Sequence, residues 1–383
     1  MKRKIRMGMI GGGIGAFIGA VHRMSANLDG LIELCSGNFS SSPDKSLETG
    51  KSLFLPSQRI YPNYEEMFEK ESLLPDEERI DFVSIVTPNH MHFEPAMLAL
   101  NYGFHVVLDK PMTLTLDQAN HLHQRVEQSG LLFCLTHTYS GYPMVKEAKY
   151  RIAQGELGKI RKVYVEYPQG WLSAAVENTG NKQADWRMDP IRSGKAGCMG
   201  DIGTHAAHLA EYITGLEITE MAANLNKVGP GRLLDDDGAV LLRFNQGATG
   251  VLIASQIAAG EENALSIRIY GEKGGMEWKQ MEPNSLLLKW IDKPMEVLRT
   301  GGAGLSEVAK LHTRLPAGHP EGYLEAFANL YRNFALHLGA RMENKLPNPL
   351  LDFPGSEEGV RGMNFIEKVV ESGEKNSAWV HLN

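Results

Sequence analysis

The chain has 383 residues, of which 43% are hydrophobic and 22% charged, and these proportions are typical of a folded globular protein. This length exceeds what one ordinary core supports, so we expect two domains. The formal charge of -7 argues against a nucleic-acid partner. No apolar run approaches the roughly 20 residues of a membrane-spanning helix, so no membrane association is expected. Three scattered cysteines, with no C-x-x-C pair, predict reduced thiols in a cytoplasmic protein.

The first predicted element is a strand over residues 4–10, which runs directly into the stretch GGGIGAFIG. A helix is predicted to open near Ala16. The basic residues ahead of this apolar stretch also fit a secretory signal, but glycine forms helix poorly and no small-x-small cleavage site follows. We interpret the stretch as a turn whose backbone amides bind a pyrophosphate at the start of a helix.

Further apolar segments alternate with helical patterns through the first third of the chain. The predicted strands cover residues 31–35, 80–86, 105–108 and 131–135, and the clearest helices cover 93–101 and 116–129. Strands that alternate with helices indicate a doubly wound parallel sheet of the Rossmann type. Such sheets bind ligands at the carboxyl ends of their strands.

The end of the second predicted strand bears on the choice of nucleotide. An acidic residue there would bind the ribose 2'-hydroxyl of NAD and repel a 2'-phosphate. The sequence instead has Ser36, Asn38 and a run of serines followed by Lys45. The absence of an acid favours NADP slightly, although Ser36 could serve either NAD or NADP.

The remainder of the chain has a different pattern. Strands separated by short turns are predicted at residues 162–167, 240–244, 249–255, 266–270, 275–278 and 285–290. They indicate a large, mainly antiparallel open sheet. We therefore predict an α/β Rossmann domain over residues 1–137 and an α+β domain over 138–383, with a last helix that packs back on the body. An apolar outer face of this sheet would be covered by another subunit, so a homodimer or homotetramer is expected.

Three ordered motifs point to a known family. They are TPNHMHFEPAMLALNYGFHVVLDKPMT (87–113), AQGELGKIRKVYVEY (153–167) and SGKAGCMGDIGTHAAHL (193–209). Together with the glycine turn, they resemble the glucose-fructose oxidoreductase, inositol 2-dehydrogenase and rhizopine-catabolism (Gfo/Idh/MocA) family from about residue 4 to 275. Two features depart from its pattern. Asp109 replaces the usual Glu of E-K-P, and the glycine turn is longer, so that Gly19 and His22 match the family's third glycine and terminal histidine.

The resemblance implies a hydride transfer between nicotinamide and a secondary alcohol of a sugar, glycoside or inositol. Lys110, Asp201 and His205 match the family's catalytic positions, with His205 as acid/base and Asp201 orienting the substrate hydroxyl or the imidazole. His208 extends a metal-like spacing, but the implied chemistry needs no metal and none is predicted. The cofactor-binding residues would be Gly11, Gly13, Gly15, Ala16, Phe17, Ile18, Ser36, Asn38, Thr87, Pro88, Asn89, His92, Asp109 and Lys110.

The implied substrate-binding residues begin with the same catalytic set, Lys110, Asp201 and His205. Trp186 and Arg187 offer a stacking face and hydroxyl donors. Tyr139 and His319 are comparable candidates, although the segment around His319 is also typical of a helix start.

Three functions fit these motifs to different degrees. The first is an NAD(P)-dependent dehydrogenase. The second is a glycoside-cleaving enzyme of the same family, which oxidises the sugar transiently, eliminates the glycosidic bond and reduces the sugar again. The third is a non-catalytic redox sensor, which the presence of the full catalytic set disfavours.

Overall fold

The chain forms two compact units in the computed structural model, which describes residues 2–174, 176 and 186–382. The first unit comprises Met1–Thr138 and Tyr323–Val360, and the second comprises Tyr139–Gly322 and Arg361–Asn383. The sequence analysis divides the chain at residue 137 and assigns everything beyond it to the second domain. Segment Tyr323–Val360, however, belongs to the first unit, because its long helix supplies apolar side chains to that unit's core.

The first unit is built on a five-stranded sheet in the order β2-β1-β3-β4-β5. All its strand pairs are parallel, which confirms the predicted doubly wound sheet. The strand order reverses between β1 and β3, and ligands bind at such a reversal in open α/β sheets. The strands are β1 Ile5–Gly11, β2 Ile32–Asn38, β3 Phe82–Val86, β4 His105–Leu108 and β5 Phe133–Leu135.

The described helices account for most of the remaining regular structure. Two of them, α4 and α5, have the bounds that the sequence predicts. The helices are α1 Phe17–Asn27, α2 Pro43–Ser52, α3 Tyr64–Ser72, α4 Phe93–Asn101, α5 Leu116–Ser129, α6 Pro143–Ala153, α7 Pro190–Ser193, α8 Thr204–Thr214, α9 Glu307–Leu311, α10 Tyr323–Met342 and α11 Ser356–Glu374.

Local sequence explains where several helices begin and end. The Asn63 and Thr115 side chains accept hydrogen bonds from backbone amides at the starts of α3 and α5. Gly130 and Gly215 end α5 and α8 in the left-handed conformation, which glycine adopts without steric cost. These boundaries could be predicted because each depends on residues close in sequence.

The core of the first unit lies between the sheet and helices α1 and α10. Strand residues such as Phe82 pack against Tyr331 and Phe334 of α10, with a Phe82–Phe334 ring-centroid distance of 5.0 Å. Burial of these rings contributes much of the unit's stability, since each large aromatic side chain removes extensive apolar surface from water.

The second unit is built on a nine-stranded sheet in the order β13-β12-β11-β10-β6-β9-β8-β7-β14. Among the described strand pairs of this sheet, only β6 and β9 run parallel, and the others are antiparallel. This confirms the predicted, mainly antiparallel sheet, to which the structure adds β7, β13 and β14. The strands are β6 Ile160–Pro168, β7 Ile218–Asn226, β8 Asp237–Phe244, β9 Thr249–Ser255, β10 Ser266–Gly271, β11 Gly274–Lys279, β12 Ser285–Trp290, β13 Glu296–Arg299 and β14 Val380–His381.

Helices cover one face of this sheet. Helix α8 packs on β6 and β9, while α6 packs on β11 and β12. Along β8, Val240 and Leu242 are buried and Leu241 and Arg243 are exposed, as strand alternation requires. None of the helices in the described ranges is long and apolar enough to cross a membrane.

The start of α1 packs against the glycine turn at a single backbone contact. A Cβ atom at Gly19 would lie 2.2 Å from Gly12 Cα and 2.8 Å from the Gly12 carbonyl oxygen. Only glycine permits this approach, and it places α1 directly at the end of β1.

We expect Gly19→Ala to lower the free energy of unfolding by about 1–3 kcal/mol, because the added methyl group forces backbone apart. Helix propensity alone would favour alanine by about 1 kcal/mol. Destabilisation would therefore be due to the close contact with Gly12 and not to a loss of helix propensity. Chemical denaturation measures it. Met24→Ala, on the half-exposed face of the same helix, is the control. Equal or greater stability of Gly19→Ala would contradict the packing assignment.

Candidate active site

The glycine turn at the end of β1 has a backbone that other residues rarely adopt, and at Gly15 it is open, with nothing within 4 Å of an added Cβ. Gly11, Gly12 and Gly15 have φ angles of +85°, +70° and +83°, which L side chains rarely adopt. A Cβ atom at Gly13 would lie 2.7 Å from the Phe39 carbonyl oxygen. Sequence analysis missed Gly12, although it lies in the run of three adjacent glycines.

The helix that follows has an open N-terminus. Ala16 makes no side-chain capping hydrogen bond, and the described first turn of α1 contains no acidic residue. Its amides and positive dipole end therefore suit a phosphate. Phe17 is 67% exposed and Ile18 is half-buried at this position. These features fit the pyrophosphate of a dinucleotide.

The end of β2 differs from its sequence-based interpretation in one detail. Ser36 is fully buried inside the sheet, 3.3 Å from where a Gly8 Cβ would lie. Asn38 is also buried, and its amide nitrogen donates to the carbonyl oxygens of Ser40 and Tyr61, both at 3.1 Å. The accessible residues of this segment are therefore the serines that follow, of which Ser41 is exposed.

The turns after β3 and β4 are joined by a buried histidine. His92 Nε2 lies 2.8 Å from the Thr87 carbonyl oxygen, and Nδ1 lies 2.7 Å from that of Pro111. Burial lowers the pKa of His92, and the contacts with the two carbonyl oxygens act in the opposite direction. His92 thus connects the Thr87–Asn89 turn with the D-K-P turn. Pro88 is half-buried at the former turn, and Asn89 is buried.

Asp109 fixes the turn that carries Lys110. Its Oδ1 accepts hydrogen bonds from the Lys110 backbone amide at 2.8 Å and from the Thr136 hydroxyl at 3.1 Å. His22 Nε2 lies 3.9 Å from Asp109 Oδ2. Burial acts to raise the pKa of Asp109, but the interactions with His22 and the charge of Lys110 outweigh it, so the pKa lies below its ordinary value. The carboxylate is therefore ionised and held beneath the turn.

In the second unit, a short π-helical turn, Met199–Gly203, precedes α8 and carries Asp201. The buried Asp235 side chain accepts hydrogen bonds from the Gly197 and Met199 amides, both at 2.7 Å. A Cβ atom at Gly197 would lie 2.3 Å from the Asp235 carbonyl oxygen. Glycine is thus the only residue type at position 197 that lets this segment approach Asp235. Turns of the π type occur frequently at functional sites.

Gln256 and Arg187, both of the second unit, contact the Asp201 carboxylate. Its Oδ2 accepts a hydrogen bond from Gln256 Nε2 at 2.9 Å and lies 3.3 Å from Arg187 Nε. The Arg187 guanidinium stacks over the Trp186 ring at 4.3 Å. Trp186, Arg187 and Asp201 thus lie together, on partly exposed positions.

His205, on the first turn of α8, packs against two tyrosines. Its ring is edge-on to Tyr139 at 4.9 Å and lies 6.4 Å from Tyr167. Burial raises the pKa of Tyr139, so this phenol remains protonated. Tyr139, Tyr167 and Asn263 are joined by hydrogen bonds.

Two predicted features do not join this group. His319 is exposed, and its Nδ1 lies 3.2 Å from the Pro316 carbonyl oxygen in its own loop. His208 stacks on Tyr212 at 5.6 Å. No set of three metal-ligating side chains that could hold an ion is found in the part of the chain that the structure describes.

The motifs did not reveal the polar residues that lie beside Asp201 and Tyr139. Gln169 follows β6, and Gln256 follows β9, the strand with which β6 pairs in parallel. Residues after parallel strands converge at one edge, which is the signal that could have found them. Asn263 lies in a loop and carried no such signal.

Comparison with known proteins agrees with this architecture. Residues 5–137 match the family described as "Oxidoreductase family, NAD-binding Rossmann fold", and residues 145–277 match the "GFO/IDH/MocA C-terminal domain". The chain is also 32% identical over 387 residues to the uncharacterized oxidoreductase YfiI of Bacillus subtilis, covering 100% of this chain and 98% of that protein.

Solved structures resemble the whole chain. An inositol dehydrogenase homolog from Azotobacter vinelandii complexed with NAD+ has a TM-score of 0.94 at 34% identity, covering 100% of this chain and 98% of the other. The same homolog with NADH and myo-inositol gives 0.90 at 33%, with the same coverage. An oxidoreductase from Sinorhizobium meliloti gives 0.90 at 43%, covering 99% and 100%. The chain belongs to the Gfo/Idh/MocA family of oxidoreductases and carries its NAD-binding Rossmann domain.

Proposed function

We propose that the protein transfers a hydride between a nicotinamide cofactor and a secondary alcohol of a sugar, glycoside or inositol. The observation that carries the proposal is the Asp201 carboxylate, held by Gln256 and Arg187 on the turn that leads into His205. A carboxylate, an imidazole and a guanidinium beside a stacking ring are groups that polyol recognition and proton transfer use. The Azotobacter homolog, complexed with NADH and myo-inositol, supports a cyclitol as a substrate class.

In this proposal Lys110, Asp201 and His205 form the catalytic set. The nicotinamide, when bound, supplies the hydride acceptor, while the protein supplies orientation and a path for the proton. His205 takes the hydroxyl proton, Asp201 orients the alcohol or the imidazole, and the Lys110 ammonium stabilises alkoxide character. Asp109 serves this set by fixing the Lys110 backbone.

The glycine turn, the start of α1 and the Thr87–Asn89 turn are the proposed nucleotide site. Gly11, Gly13, Gly15 and Ala16 would approach the pyrophosphate, with Phe17 and Ile18 beside it. The adenosine ribose is assigned to the end of β2, where Asn38 keeps the serine segment in place. We further propose a cytoplasmic location, supported by three free thiols.

The main experiment follows reduced-nicotinamide absorbance with purified protein, NAD+ or NADP+, and a panel of inositols, hexoses and glucosides. We expect a stoichiometric rise with one class of polyol. Release of an aglycone from a glycoside, with no net reduction of the cofactor, would instead identify the glycoside-cleaving reaction. If no member of the panel gives either result, the proposal is contradicted.

We expect Lys110→Ala and His205→Ala each to lower kcat by about 10²–10⁴-fold, because each removes a proton-transfer or charge-stabilising group. Cofactor binding by His205→Ala, measured by fluorescence titration, should remain nearly unchanged. His90→Ala, at an exposed histidine of the first unit, is the control and should keep full activity. Near-normal turnover in both test variants would refute the assignment of the catalytic set.

The cofactor preference is proposed to lean slightly toward NADP, because β2 ends at Asn38 and not at an acidic residue. We expect Ser41→Asp to weaken NADP+ binding about tenfold through repulsion of the 2'-phosphate, with little effect on NAD+. Equilibrium titration with both nucleotides measures the change. Ser52→Asp, at the far end of α2, controls for added charge. Equal effects on both nucleotides would place the ribose elsewhere.

The open face of the nine-stranded sheet is proposed to bind a second copy of the chain. Leu241 and Ile253, which are 51% and 38% exposed, lie on neighbouring strands of this face, and Val297 of β13 is 53% exposed. Burial of such residues favours association.

We expect Leu241→Glu to reduce the solution mass from a homodimer or homotetramer toward a smaller species. Sedimentation velocity measures it. The control is Leu47→Glu, at a partly exposed leucine of α2 in the first unit. A wild-type monomer would contradict this part of the proposal.

A further inference from the structure

A continuous hydrogen-bonded chain in the second unit begins beside His205 and ends on Asp201. We call its five residues the amide–tyrosine chain: Tyr139, Tyr167, Asn263, Gln169 and Gln256. Tyr139 and Tyr167 hydrogen-bond through their hydroxyl groups, Tyr167 donates to Asn263 Oδ1 at 2.7 Å, and Asn263 Nδ2 donates to the Tyr139 hydroxyl at 3.1 Å. These three residues form a closed ring of hydrogen bonds.

The chain continues from this ring through two glutamines. Gln169 Nε2 donates to Asn263 Oδ1 at 2.7 Å, and its Oε1 accepts from Trp171 Nε1 at 3.1 Å. Gln256 Nε2 lies 3.5 Å from the same Gln169 oxygen and donates to Asp201 Oδ2 at 2.9 Å. Gln256 is only 2% exposed.

The direction of these hydrogen bonds fixes the orientation of each amide. Trp171 Nε1 can only donate, so the Gln169 atom that it contacts is the amide oxygen, and the Gln169 NH2 group therefore faces Asn263 Oδ1. The same Gln169 oxygen faces Gln256. Gln256 therefore directs its amide NH2 group toward that oxygen. The group that faces Asp201 is therefore a donor, which stabilises an ionised carboxylate and not a protonated one.

The backbone of Gln256 is held as firmly as its side chain. Its amide nitrogen donates to the Asp236 carbonyl oxygen at 2.9 Å, and its carbonyl oxygen accepts from the Leu172 amide at 2.9 Å. A buried side chain on a pinned backbone has few other rotamers available. Its donor therefore stays directed at Asp201 Oδ2.

We propose that Gln256 is a positioning residue, which keeps the Asp201 carboxylate ionised and in one orientation through the amide–tyrosine chain. The inference rests on the proposed function, because Gln256 acts only through Asp201. The same chain ends at Tyr139, whose ring packs against His205. Gln256 therefore belongs to a support that reaches both members of the catalytic set in this unit.

Other titratable groups also face Asp201 and contribute to its protonation. Arg187 lies at 3.3 Å and favours the carboxylate. Tyr139 and Cys198 interact with it electrostatically, and His205 is one turn further along the helix. The effect of Gln256 must therefore be measured at Asp201 itself.

The test is carbonyl-carbon NMR of the full-length protein labelled at the aspartate side-chain carboxyl. The Asp201 resonance is identified by its loss in Asp201→Asn. We expect Gln256→Leu to raise the Asp201 pKa by about one unit, because a donor to the charged form is lost. Gln256→Glu should raise it further, since two adjacent carboxylates cannot both ionise readily. Ser255→Ala, at the neighbouring strand residue, should leave it unchanged.

Turnover is measured on the same variants with myo-inositol and NAD+ as the probe. We expect Gln256→Leu to lower kcat/KM about tenfold or more, and the acidic limb of its pH profile should move upward with the Asp201 pKa. An Asp201 titration in Gln256→Leu equal to that of the wild type would overturn the inference. Should Gln256→Leu fail to fold, Gln256→Met, which keeps a similar side-chain length and removes the donor, carries the same test.

The two proposals fail in different ways. Full turnover by Asp201→Asn would remove the proposed catalytic role of Asp201, and with it the role of Gln256. Loss of turnover by Asp201→Asn, together with an unshifted titration in Gln256→Leu, would leave the proposed function standing and reject Gln256 alone.

Discussion

The backbone contact between Gly12 and Gly19 is the constraint on which the first unit depends. It brings α1 to the end of β1, and α1 then carries His22 into the core, where Nδ1 lies 2.6 Å from the Tyr331 hydroxyl and Nε2 lies 3.9 Å from Asp109 Oδ2. Asp109 in turn holds the Lys110 amide. A steric requirement of two glycines is thus linked to the position of the proposed catalytic lysine, through side chains that are remote from one another in sequence.

In the second unit, hydrogen bonds fix the turn that carries Asp201. This π-helical turn is irregular, and irregular turns expose backbone amides that need hydrogen-bond partners. Asp235 supplies them, and burial raises its pKa even though the Gly197 and Met199 amides favour the charged form. The turn then presents Asp201 to Gln256 and Arg187. In each unit, an aspartate carboxylate accepts hydrogen bonds from backbone amides and fixes the turn that carries a proposed catalytic side chain.

The sequence predicts those parts of the fold that depend on local pattern. The parallel sheet, the bounds of α4 and α5 and the antiparallel character of the second sheet all follow from periodicity and turn residues. Membership of α10 in the first unit does not, because it depends on packing between segments about 300 residues apart, such as Ser25 and Leu324. Likewise, the motifs identify Asp201 and His205, whereas Gln256 and Asn263 become visible only when hydrogen bonds across the sheet are known.

In the proposed reaction, a hydride passes between a polyol carbon and nicotinamide. The most direct measurement supplies the protein with NAD+ or NADP+ and a cyclitol or sugar that is deuterated at its carbinol carbons, and follows the mass of the reduced cofactor. Direct transfer predicts that the reduced nicotinamide is one mass unit heavier with the deuterated polyol than with the unlabelled one. Reduced cofactor without deuterium, or no reduction with any polyol that binds, would contradict it.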